Sequence, residues 1–140
     1  MSTPETLFQV RERMPLTTRL TARAAVAAAL LLARLPPRHI RRILAAVRSG
    51  AVGATHAQAY AARQAVVSVS VTCAGKGCLP RSIATALLCR MRGHWPVWRV
   101  GARTAPFGAH AWVEAEGRAV GEGEQITAFR PLLTVGHRDG

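Results

Sequence analysis

The sequence predicts an α+β domain in which helices come first and a small antiparallel sheet follows. Apolar residues in the first half recur at helical spacing between proline and glycine stops. The last third breaks into short β-favouring runs separated by Gly and Pro, and the two patterns do not alternate as parallel crossovers would. At 140 residues, with 49% hydrophobic and 19% charged, the chain can bury one core and is too short for two ordinary domains. That composition excludes a disordered chain.

Residues 1–15 hold Pro and mixed polar groups without a period and are expected to form a flexible N-terminus. The rest, 16–140, is expected to be a single domain, with a helical subregion at 16–72 and a core carrying the chemistry at 73–140. Three helices are expected first: residues 17–34, stopped by Leu35-Pro36-Pro37; 38–48, stopped by Ser49-Gly50; and 55–71. In the second, Ile40, Leu44 and Val47 form an apolar stripe while Arg38, Arg41, Arg42 and Arg48 take the rest of the surface. The third ends in valines that a strand would equally favour. A turn-rich segment, 72–77, then leads to a fourth helix at 78–92. Pro80 fits only in its first turn, which puts Cys78 at or beside the N-cap. Strands are expected at 97–100, 109–114, 118–122 and 129–135.

The formal net charge is +12, from 19 basic and 7 acidic residues. Between Glu12 and Glu114 there is no carboxylate side chain, and every basic residue but Lys76 is Arg. Such a balance suits nucleic acid, an anionic membrane or an acidic partner. The arginines are spread out, however, with no run longer than Arg41-Arg42, unlike a nucleic-acid arm. The longest apolar run, 24–33, has ten residues, half of the about 20 that a bilayer span needs. Leu35-Pro36-Pro37 is a poor cleavage context for export. Cys73, Cys78 and Cys89 form neither an even framework nor a C-x-x-C, so no disulfide scaffold or structural zinc is signalled. A reducing, cytoplasmic setting is expected.

A cysteine at a helix N-terminus sits where the helix dipole favours a thiolate, and its own N–H is a candidate oxyanion donor. The competing reading of Cys78 is a small buried hydrophobe. The second feature is a hairpin across residues 106–122. If its loop is the three residues Ala115-Glu116-Gly117, His110 faces Glu122, close enough for a carboxylate to hold an imidazole. A two-residue loop would pair Ala111 with Glu122 and turn it away from His110. With the pair formed, the acid fixes the imidazole tautomer while the other ring nitrogen takes a thiol proton. A polar pair on a solvated sheet face is the alternative, but His110 lies among Phe107, Ala109, Ala111, Trp112 and Val113, where an unpaired His is costly.

Cys78-Leu79-Pro80-Arg81-Ser82, followed 32 residues after Cys78 by His110 within Pro106-Phe107-Gly108-Ala109-His110-Ala111-Trp112-Val113-Glu114, resembles the leader peptidase of lasso peptide biosynthesis. This is the peptidase half of the split B protein, a transglutaminase-like cysteine protease. The resemblance covers residues 78–135, and the N-terminal helices only in general layout. It implies a transglutaminase/papain-like core, with Cys78 as nucleophile, His110 as general base and acid, and Glu122 where the family's acid, often Asp, is expected. Glu124 is the alternative acid. It further implies cleavage of a leader from a ribosomally made precursor peptide, beside a small leader-binding protein and an ATP-dependent lasso cyclase. No cofactor or metal of its own is expected, and no nucleic acid.

Cys89 lies three helical turns beyond Cys78 and reads as core. Cys73 falls in the preceding loop. His94-Trp95-Pro96 reads as a packed turn, with a substrate groove as the alternative. His39, His56 and His137 show no ligand spacing. Arg81 suits either a substrate carbonyl or a surface cap. Two other functions compete with the peptidase: a transglutaminase-like acyl transferase, and a non-catalytic basic module for nucleic acid or anionic membrane.

Overall fold

The computed structural model of the chain describes residues 14–136. Most of the segment expected to be flexible, and His137, lie outside the described residues. Helices α1 (Leu16–Leu32), α2 (Pro37–Val47) and α3 (His56–Val69) come first, then a single turn, α4 (Val71–Ala74), and α5 (Cys78–Met91). The four-stranded sheet has the order β5-β4-β3-β6, with β3 at Val97–Thr104, β4 at Phe107–Ala115, β5 at Arg118–Ala119 and β6 at Arg130–Val135, all pairs antiparallel. Helices first and an antiparallel sheet afterwards is the expected α+β class. One pairing was not expected: β1 (Val52–Gly53) runs parallel to β2 (His94–Trp95), so the segment read as a packed turn is a short strand.

The helix limits have local causes. Pro36-Pro37 ends α1, and Pro37 opens α2 at a position where its missing N–H costs nothing. Thr55 starts α3 with a reciprocal box: its hydroxyl accepts the Gln58 backbone N–H at 3.1 Å and the Gln58 side-chain oxygen Oε1 accepts the Thr55 backbone N–H at 2.9 Å. Such a cap contributes about 1 kcal/mol. The expected end at residue 71 is corrected to Val69. Ser70 takes an extended conformation and its hydroxyl accepts the Cys73 N–H at 3.2 Å, so a new turn of helix begins where only a loop was expected.

Helix α5 is the centre of the molecule. Ser82, Ile83, Ala84, Thr85, Ala86, Leu88 and Cys89 are all buried, as for a helix covered on most sides. Helices α1 and α3 pack on it with small residues, Ala22, Ala25, Ala29, Ala59 and Ala62, which let the axes approach closely. The sheet covers another side, where the buried Trp98 indole donates to Ser82 Oγ at 3.0 Å. That bond satisfies two polar groups that burial would otherwise penalise. Arg90, in the last turn of α5, donates to Val47 O and Ser49 O and ties down the end of α2. No described helix is long and apolar enough to cross a membrane.

Candidate active site

Cys78 is the first residue of α5. Gly77, just before it, turns the chain so tightly that the Cys78 N–H donates to Lys76 O at 2.8 Å, while the Gly77 N–H donates to Thr72 O at 3.1 Å. A Cβ on Gly77 would stand 2.6 Å from that Thr72 oxygen, so only glycine fits. Arg81, one turn along, donates to Cys73 O and Gly75 O, both at 3.0 Å. Its guanidinium braces the loop against the helix that the loop introduces. The expectation that the Cys78 N–H is open to an oxyanion is corrected, because that amide is already engaged. The next amide, Leu79 N–H, has no backbone acceptor among the described residues.

His110 lies on β4 opposite Gly101. Its ring stacks on Trp112 with centroids 6.0 Å apart and 14° between planes, and Phe129 closes in at 5.5 Å. Trp112 passes so close over β3 that a Cβ on Gly101 would be 2.8 Å from the indole. The indole N–H donates to Glu114 Oε2 at 2.8 Å, and Arg99 pairs with the same carboxylate at 3.4 Å. These contacts fix the ring plane of His110 before any partner acts on its nitrogens.

Glu122 reaches His110 by a route that the sequence did not suggest. Of the two hairpin loops considered, the structure has the two-residue one. Ala115 pairs with Arg118 and Glu114 with Ala119, around a two-residue turn in which Glu116 and Gly117 have φ of 54° and 77°. That register alone would set Glu122 opposite Ala111, facing away from His110. The expected strand 118–122 instead stops at Ala119. After a last rung, Val120 N–H to Val113 O at 2.9 Å, Gly121 adopts a φ of 69° and swings the chain. Glu122 Oε1 then lies 2.6 Å from His110 Nε2. A Cβ on Gly121 would fall 2.5 Å from Arg63 Nε, so the swing depends on glycine twice over. A lone glycine inside a strand-like run is the signal that could have found it. Glu124 opens an exposed 3₁₀ turn and makes no bond to His110.

With Nε2 held by Glu122, Nδ1 is the ring nitrogen left for Cys78. The two groups shift one another. Contact with the His110 ring lowers the thiol pKa and outweighs burial, which acts the other way; the Ala111 N–H, His110 charge and Arg81 charge add to the lowering. His110 is raised to about 9, first by Cys78, then by Glu122, against burial. The two shifts are complementary: the ring holds its proton more firmly and the sulfur gives its proton up more readily. The His110 and Glu122 side chains are 20% and 12% exposed, shielded but open on one side.

The other candidates lie apart from this pair. Cys89 is buried, and burial pushes its thiol up to about 12, as suits the core position expected of it. Cys73 is buried in α4 and likewise raised by burial. His56 contacts Ala119 O, and its N–H donates to Glu116 Oε1 at 2.6 Å, joining the hairpin turn to the start of α3. His94 Nε2 meets Gln58 Nε2 at 3.2 Å, and His39 is exposed. Among the described residues no group of three or more His, Cys, Asp or Glu could hold a metal.

A family model for the transglutaminase-like superfamily matches residues 22–134. The chain belongs to that superfamily. No curated protein and no solved structure matches it. The match runs from α1 to β6, so the helices and the sheet of this transglutaminase-like domain form one family unit. The superfamily includes cysteine proteases and acyl transferases. Both need a sulfur nucleophile that can hold an acyl group and a neighbouring acid–base group.

Proposed function

We propose that this transglutaminase-like protein is a cysteine peptidase that removes the leader from a lasso precursor peptide, with Cys78, His110 and Glu122 as its triad. The observation that carries the peptidase reading is the thiolate-favouring contact of Cys78 with a histidine whose far nitrogen is 2.6 Å from a carboxylate. The lasso reading rests on the joint Cys78-Leu79-Pro80-Arg81-Ser82 and Ala109-His110-Ala111-Trp112-Val113-Glu114 pattern.

In this reading the Cys78 sulfur attacks the scissile carbonyl and a tetrahedral oxyanion forms. The Leu79 N–H, at the positive end of α5 and without a backbone acceptor among the described residues, supports its stabilisation. His110 gives its Nδ1 proton to the leaving amine as the C–N bond breaks, leaving an acyl thioester on Cys78. Water then attacks the thioester while His110 takes its proton, the acid is released and the sulfur returns as thiolate. Glu122 keeps the imidazolium favourable throughout by accepting from Nε2. Leader recognition is delegated to a small leader-binding protein, and the freed core passes to an ATP-dependent cyclase, in the cytoplasm. An acyl transferase would share every step but the last, with an amine in place of water.

The test is to incubate the protein with its precursor and leader-binding partner and read product masses. A leader and a core fragment, summing to the precursor plus one water, are expected from the wild type, and neither from Cys78→Ala or His110→Ala. Full cleavage by Cys78→Ala refutes the mechanism, and a product carrying an added amine in place of water identifies the transferase.

A further inference from the structure

We infer that the uncovered end of β4, formed by Ala109 and Phe107, is a substrate subsite that takes an extended peptide with an apolar side chain next to the reacting carbonyl. The inference rests on Cys78 being the nucleophile, and it names where the rest of the substrate lies.

Alternation along β4 puts Phe107, Ala109, Ala111, Val113 and Ala115 on one face of the sheet, the face that also carries Trp98 opposite Val113 and packs on α5. Along that face Ala115, Val113 and Ala111 are each 3% exposed, whereas Ala109 is exposed and Phe107 is 81% exposed. The cover supplied by α5 therefore ends between Ala111 and Ala109. Cys78, the first residue of that helix, lies at this boundary, where the Ala111 N–H is among the groups that lower its thiol pKa. The uncovered apolar surface begins where the nucleophile sits.

The backbone there is open as well. On one side β4 is paired with β3 from Phe107 to Glu114. On the other, β5 covers only Glu114 and Ala115, with one more rung from Val120 to Val113. Residues of an antiparallel strand alternate in the side to which they turn both N–H and C=O. Val113 turns its pair to the β5 side, as its bond from Val120 shows, and by that alternation Ala111 does the same. Ala109 must do the same, and it has no partner there among the described residues. An unpaired strand edge beside a nucleophile is a template for an extended peptide backbone.

The side chains set the chemistry of the subsite. Ala109 leaves room above the sheet, and Phe107 offers a ring in a chain whose three tryptophans lie 2% exposed or less. A substrate side chain lying on Ala109 against Phe107 buries apolar surface on both partners. Phe107, Gly108 and Ala109 carry no charge, and the carboxylate of nearby Glu122 is engaged with His110.

The test uses three cysteine reagents, followed by the mass of the peptide containing Cys78. They are iodoacetamide, a blocked tripeptide chloromethyl ketone ending in leucine, and the same compound ending in glycine. The wild type is expected to react with the leucine reagent about tenfold faster than with the glycine one, the discrimination an apolar pocket gives. Phe107→Ala should abolish that preference, Phe107→Leu should keep most of it, and neither should alter the rate with iodoacetamide. N-methylating every backbone amide of the leucine reagent should also slow it at least about tenfold, since the edge then has no donors to accept. A leucine preference that is absent, or that survives Phe107→Ala, overturns the subsite while leaving the nucleophile intact. Failure of iodoacetamide to select Cys78 overturns the proposed nucleophile, and the subsite with it.

Discussion

Glu122 Oε1 lies 2.6 Å from His110 Nε2 although the hairpin register by itself would point Glu122 the other way. The left-handed backbone at Gly121 makes the difference. Gly121→Ala should therefore cost about 1–2 kcal/mol from the backbone alone. Contact of the new Cβ with the Arg63 side chain adds to that cost. Urea denaturation measures the loss. Arg63→Ala in the same chain should recover the contact part but not the backbone part.

The carboxylate also sets the protonation of the ring. His110 sits at about 9, above its ordinary 6.5, with Cys78 as the first cause and Glu122 as the second. Cys78→Ala should lower this value, and Glu122→Gln should lower it by less, because a glutamine oxygen still accepts from Nε2 without the charge. Glu124→Gln should leave it unchanged. Titration of the His110 ring protons by NMR distinguishes the three, and an unmoved value in Glu122→Gln would remove Glu122 from the arrangement.

Arg81 holds the loop that presents the nucleophile. Arg81→Ala frees two carbonyls, Cys73 O and Gly75 O, from a charged donor, and should cost about 2 kcal/mol. The local signature is faster hydrogen exchange at the amides of Gly77 and Cys78, which now donate to Thr72 O and Lys76 O. Arg81 charge also favours the thiolate, so the Cys78 pKa should rise. Exchange that speeds only globally would contradict the bracing role.

Trp112 is threaded over a residue with no side chain. Gly101→Ala would bring a Cβ to 2.8 Å from the indole and 2.7 Å from Arg130 O. It should displace Trp112 from His110 and from Glu114, at a cost of about 1–3 kcal/mol for overpacking. The change should be visible as altered near-UV circular dichroism together with a shifted His110 titration.

The parts of this fold marked by proline, glycine and period were legible in the sequence. Leu35-Pro36-Pro37 and Pro80 set helix boundaries within a residue or two, because their backbone constraints act locally. The candidate site was legible in its members but not in its construction. From the sequence, His110 meets Glu122 only if the turn has three residues; the structure has the two-residue turn and still joins them, through a left-handed Gly121. That outcome depends on where strand pairing stops, and the chain that leaves the strand at Gly121 runs against Arg63, 58 positions away. The Cys78 amide was misread for a similar reason, since Gly77 folds it back onto Lys76 O. The parallel pair β1–β2 needs contact between distant segments and left no local trace.

The central claim is that contact with His110 favours the thiolate of Cys78. The most direct measurement is the pH dependence of iodoacetamide alkylation, followed by the mass of the peptide containing Cys78, in wild type and in His110→Ala. The account predicts a wild-type inflection below the ordinary thiol value of 9.0 and an inflection displaced upward in His110→Ala. Identical inflections in the two proteins would contradict it.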